Sequence, residues 1–106
     1  MHPSFRTALN TFLARGAHLW GDRIEEVILF GSTARGEATV ASDVDLLVIT
    51  SEEDFRLRRN LIGLAYDILL ETGVNLSVKV LSRDDAERFL EEIREKIRLL
   101  TFPSSE

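Results

Sequence analysis

The residues best suited to chemistry in this sequence are a glycine-serine pair, Gly31-Ser32, and, after ten intervening residues, the acid pair of Asp43-Val44-Asp45. Side chains two apart on a strand point to one face with Cα atoms roughly 6.5 Å apart, so Asp43 and Asp45 can converge on one cation while Val44 faces away. Two carboxylates at the head of an apolar run repel each other and lose water, a cost that a divalent ion removes. A structural alternative stands beside this: Ser42-Asp43 caps a turn and Asp45 pairs with an arginine such as Arg35. Upstream, a strand that ends in Gly31-Ser32 and turns toward a short helical segment leaves backbone N–H groups which, with the Ser32 hydroxyl, can cradle phosphate oxygens. Arg35 lies one turn on, where its guanidinium can pair with a phosphate or with the acids. Alone, Gly-Ser reads as an ordinary turn. Phosphate donors beside a carboxylate pair are what a magnesium-bound nucleotide needs.

The elements that must position these residues can be read from periodicity. Phe5, Ala8, Leu9, Phe12, Leu13 and Ala17 recur at helical spacing, predicting a helix from about Ser4 to Trp20 that Gly21-Asp22 ends. Glu26 to Phe30 is a short β-branched and aromatic run, the pattern of a strand buried on both faces, and Val44 to Ile49 reads as a second. Ser51 with Asp54 has the spacing of a helix cap, and the helix it opens runs to Gly73. Val74, Leu76, Val78 and Val80 alternate with Asn75, Ser77 and Lys79, a strand with one apolar and one polar face. Ser82 with Asp85 repeats the cap before an amphipathic helix expected to end near Phe102-Pro103. The order α-β-β-α-β-α predicts an α/β (α+β) domain: a mixed β-sheet of about three or more strands with helices packed on it. Along the helix from Ser51 to Thr72, Leu57, Leu61, Ile62, Leu64, Ile68, Leu69 and Leu70 make an apolar band wider than one core-facing stripe, so part of it is expected to face a partner or a second copy.

Composition narrows the classes. At 106 residues, with 44% hydrophobic and 29% charged residues and no repeat or linker, residues 1–106 are expected to form one domain. The longest apolar runs are four residues, far below the roughly 18 needed for a membrane span. Met1 to Arg6 has no apolar signal core, so the chain is expected to start here and stay in the cytoplasm. No cysteine is present, which removes disulfides and thiolate chemistry, and a metal site must use oxygen ligands that favour magnesium, manganese or calcium. The net charge of -5 argues against strong nucleic-acid binding, and the Arg56, Arg58 and Arg59 cluster reads as a solvated helix face. His18 and Trp20 read as packing or surface residues, Glu37 as a loop residue and Tyr66 as core or interface.

The run Leu29-Phe30-Gly31-Ser32-Thr33-Ala34-Arg35-Gly36, leading to Ser42-Asp43-Val44-Asp45-Leu46-Leu47-Val48, closely resembles the minimal nucleotidyltransferases of the DNA polymerase β-like nucleotidyltransferase superfamily. The resemblance implies that Gly31 and Ser32 hold nucleotide phosphates, that Asp43 and Asp45 bind Mg2+, and that Arg35 assists at the phosphates. It further implies transfer of a nucleoside monophosphate, AMP from ATP above all, onto a hydroxyl of a protein or other acceptor, and pairing as antitoxin with a HEPN-type ribonuclease. Family members that do this chemistry usually carry a third carboxylate on the next strand. The aligned position here is Asn75, whose amide can ligate a metal but cannot act as a base. Either Asp67, Glu71 or another acid replaces it, or catalysis is slow or absent, leaving a non-catalytic binding module with the same fold.

Overall fold

The computed structural model describes residues 3–31 and 43–93, together with the backbone of 97–100. Helix α1 (Pro3–Trp20) leads through a 3-10 turn at Gly21–Arg23 into strand β1 (Ile24–Phe30). Strand β2 (Val44–Thr50), helix α2 (Phe55–Thr72), strand β3 (Leu76–Ser82), helix α3 (Arg83–Ile93) and strand β4 (Ile97–Leu100) follow. The sheet has four strands in the order β3-β2-β1-β4. β1 runs antiparallel to β2 and β4, whereas β2 and β3 are parallel and joined through α2, so the sheet is mixed.

Alternation along the strands sends side chains to two cores. Val27 and Leu29 of β1, Val44, Leu46 and Val48 of β2, and Leu76 of β3 pack with the apolar faces of α1 and α2, among them Phe5, Phe12, Leu57, Leu61 and Ile68. On the other face Ile28, Leu47 and Ile49 meet Ala86 of α3, with Phe30, Leu81, Phe89 and Leu90 around them. β1 and β2 are therefore apolar in both directions, as expected of strands covered on both sides.

The helix boundaries have local causes. Asp54 is the cap of α2: its side chain accepts from the Leu57 N–H at 3.0 Å, and it also pairs with Arg23. The cap thus sits three residues past the expected Ser51, where a carboxylate accepts from the helix and meets a guanidinium at once. Gly73 ends α2 in the left-handed conformation, its N–H bonded to the Leu69 carbonyl at 2.8 Å. Ser82 donates to Asp85 at 3.4 Å at the start of α3, where the second cap was expected.

One element corrects the sequence reading. The final helix, expected to reach Phe102-Pro103, ends within the described residues at Ile93, and Ile97–Leu100 forms a strand on β1. The four residues Ile97-Arg98-Leu99-Leu100 are too few to show a period that separates strand from helix. Pairing with the open edge of β1, which would otherwise leave backbone N–H and C=O groups unmet on that side, is a long-range term invisible in local spacing. On α2, Leu57, Leu61, Leu64 and Ile68 are buried, while Ile62 is 46% and Leu70 69% exposed. The apolar band is indeed wider than its core stripe, and Tyr66, 59% exposed, belongs to the surface rather than the core.

Candidate active site

Parity along the sheet brings the polar residues together. Asp45 stands in one row across three strands, paired with Phe30 of β1 on one side and Ser77 of β3 on the other. Asp43, one position before β2, stands beside Asn75, one position before β3. There the Asn75 amide donates from Nδ2 to Asp43 Oδ1 at 3.1 Å, and the Asn75 carbonyl accepts from the Val44 N–H at 3.0 Å. Because Val44, Leu46 and Val48 point to the α1–α2 core, Asp43 and Asp45 share the opposite face of the sheet, that of α3.

Gly31 closes the site from the end of β1. It has φ of +74°, a conformation that L side chains rarely adopt, and a Cβ placed on it would overlap Asp45 Oδ2 and lie 3.3 Å from Asp45 Cγ. The absent side chain is what lets the chain leave β1 directly against the carboxylate. Asp45 is half-buried, and its carboxyl is held above the usual carboxylate range, first by burial and then by the charge of Asp43. A half-buried carboxyl whose ionised form is disfavoured, set beside a second acid and against a glycine that admits no larger residue, suits an oxygen-ligated divalent ion. Phe30 flanks the site with an apolar ring, edge-on to Phe89 at 5.3 Å, with Lys79 Nζ 5.2 Å from the Phe89 centroid.

Ser32, Arg35, Glu37 and Ser42 lie outside the described residues. The replacement acids are not brought to the pair: Glu71 forms an ion pair with Arg15 at 3.0 Å, Asp67 is exposed on α2, and among the described residues no group of three or more acidic, histidine or cysteine side chains is placed to hold a metal. His18 is exposed and Trp20 packs against the core, and Arg56, Arg58 and Arg59 are exposed, as the solvated-face reading expected. Sequence reasoning missed the Gly31–Asp45 contact and the place of Ser77 beside Asp45. The parallel register of β2 and β3 carries the second, and no local signal in the sequence contains it.

The fold has the nucleotidyltransferase architecture. A solved structure described as a candidate minimal nucleotidyltransferase superposes with a TM-score of 0.59 at 28% identity, covering 91% of this chain and 92% of the other. The chain belongs to the nucleotidyltransferase domain family, whose model matches residues 9–101. Two Methanocaldococcus jannaschii proteins described as candidate protein adenylyltransferases are 42% identical over 73 residues and 40% identical over 62 residues. Those matches take in 65% and 58% of this chain, which spans 49% and 58% of the relatives' lengths. A chain from the complex of tri-AMPylated Shewanella oneidensis HEPN toxin with MNT antitoxin shares the fold, with a TM-score of 0.50 at 16% identity over 89% of this chain and 72% of that one.

Proposed function

We propose that residues 1–106 form one magnesium-dependent nucleotidyltransferase domain that moves AMP from ATP onto a hydroxyl of a protein partner. The observation that carries the reading is the seating of the Asp45 carboxylate, beside Asp43, against the bare backbone of Gly31. Asp43 and Asp45 would hold the ion, which when bound neutralises charge on the triphosphate and its leaving group. Gly31 and Ser32 hold the β- and γ-phosphates, with Arg35 as a further phosphate contact, and Phe30 flanks the site with an apolar ring. In the step itself the acceptor oxygen bonds to the α-phosphorus, the bond to the α,β-bridging oxygen breaks, and pyrophosphate leaves with that electron pair. The hydroxyl proton passes to solvent, since Asn75 is no base. Most of the rate then comes from positioning and electrostatics.

The likeness to a chain of a HEPN–MNT complex and to candidate protein adenylyltransferases supports a protein acceptor, and a HEPN-type toxin as the partner this chain counters as antitoxin. A second reading, a non-catalytic nucleotide- or partner-binding module, is favoured by one observation, the neutral Asn75 bonded to Asp43 where a third carboxylate would stand. Calorimetry with Mg-ATP tests the site common to both readings. Wild type is expected to bind, and Asp43→Asn/Asp45→Asn to lose binding while staying folded. Equal affinity in the double variant would remove the site assignment.

A further inference from the structure

We propose that the acid pair takes a single divalent ion, and that Asn75 is the positioning residue that sets this stoichiometry. The inference rests on the reading that Asp43 and Asp45 hold an ion. A two-ion site sets its ions about 3.5–4 Å apart, and the carboxylates between them lend one oxygen to each. Here the Asn75 amide N–H engages Asp43 Oδ1 at 3.1 Å, and the Asn75 backbone is itself pinned by the Val44 N–H at 3.0 Å. Asp43 Oδ1 therefore already accepts from an amide N–H, and the positive end of that dipole disfavours a second cation at the same oxygen. Asp45 is similarly confined, its Oδ2 against Gly31 and its row neighbours being the phenyl ring of Phe30 and the neutral hydroxyl of Ser77. Among the described residues no third acid, histidine or cysteine joins the pair, so a second ion would depend on the nucleotide for nearly all its compensating charge. One divalent ion matches the two negative charges of Asp43 and Asp45, and Asn75 holds Asp43 in place to receive it.

Equilibrium dialysis of the whole chain against Mn2+ and α,β-methylene-ATP, reading bound manganese and bound analogue per protein, tests this without turnover. Wild type is expected to hold one manganese per bound analogue. Asn75→Asp, which replaces the donor by a charged acceptor, is expected to hold two. Asn75→Leu keeps the size without the amide, and is expected to hold one about tenfold or more less tightly, the usual scale for losing a partner of a metal ligand. Two ions in wild type would overturn the inference while leaving the nucleotide site intact. No manganese at all would overturn both, and a single ion in a folded Asn75→Asp would overturn the role given to Asn75. Because Asn75 is exposed, Asn75→Leu leaves the core untouched, and with the wild type it keeps the test decisive if Asn75→Asp fails to fold.

Discussion

Gly31→Ala should damage this protein well beyond the usual effect of a surface glycine. At φ +74° an alanine bears the left-handed cost of about 1–2 kcal/mol, and its Cβ would overlap Asp45 Oδ2 while lying 3.3 Å from Cγ. Asp45 must then swing off its preferred rotamer at about 0.5–1.5 kcal/mol, for a total of about 1.5–3.5 kcal/mol. In a domain of this size that lowers the melting temperature by roughly 10–20 °C. Gly73→Ala is the matched control, since Gly73 has φ +77° and nothing within 4 Å of an added Cβ, leaving only the backbone cost. Thermal and urea melts of both variants, repeated in an Asp45→Ala background, separate the two contributions. With the carboxylate gone, Gly31→Ala should cost no more than Gly73→Ala, a coupling of about 1 kcal/mol between positions 31 and 45. If Gly31→Ala costs the same as Gly73→Ala in wild type, or keeps its full penalty in Asp45→Ala, the close seating of Asp45 on Gly31 is wrong.

Asp45→Asn should stabilise the nucleotide-free protein at neutral pH, because the folded carboxyl sits above its ordinary range and its ionised form is disfavoured. With a raised folded value, this residue's contribution is fully present below the ordinary carboxylate value and lost as pH rises through the folded one, so the gap between variant and wild-type melts should close on acidification. Asp54→Ala removes the α2 cap and the Arg23 partner and should cost about 0.5–2 kcal/mol in chemical denaturation. Arg83→Met breaks the contacts to Glu25 at 2.8 Å and Glu26 at 3.0 Å, yet these partly exposed pairs should cost only about 0.2–1 kcal/mol, less in high salt. Asn75→Asp should raise single-turnover AMP transfer by about 10² to 10⁴, the range for gaining a positioned base, and lower the melting temperature through a third negative charge.

Residues whose role depends on near neighbours were legible before the structure. The helical spacing of Phe5 to Leu13, the alternation through β3 and the stop at Gly73 are local rules, and each element formed where its pattern lay. Asp43 and Asp45 share a face because strand parity is local too. What escaped depends on register between distant segments. The pairing of Val44 with Leu76 sets Asp45 beside Ser77 and Asp43 beside Asn75, and Gly31 meets Asp45 only because β1 and β2 run antiparallel with Phe30 opposite Asp45. Ile97–Leu100 belongs to the same class, its strand existing because β1 has an edge to offer. The cap of α2 moved from Ser51 to Asp54 because Arg23, thirty-one residues upstream, favours a carboxylate there.

Adenylyl transfer by way of Asp43 and Asp45, as proposed, can be read from where the label of ATP goes. The assay incubates the purified protein, alone and with a HEPN-type protein, with Mg2+ and ATP labelled either at the α- or at the γ-phosphate, and follows label on protein. Label from the α-phosphate alone, dependent on Mg2+, absent in Asp43→Asn and faster in Asn75→Asp, is the predicted result. Label from the γ-phosphate, or α-label that Asp43→Asn leaves unchanged, would exclude adenylyl transfer at this acid pair.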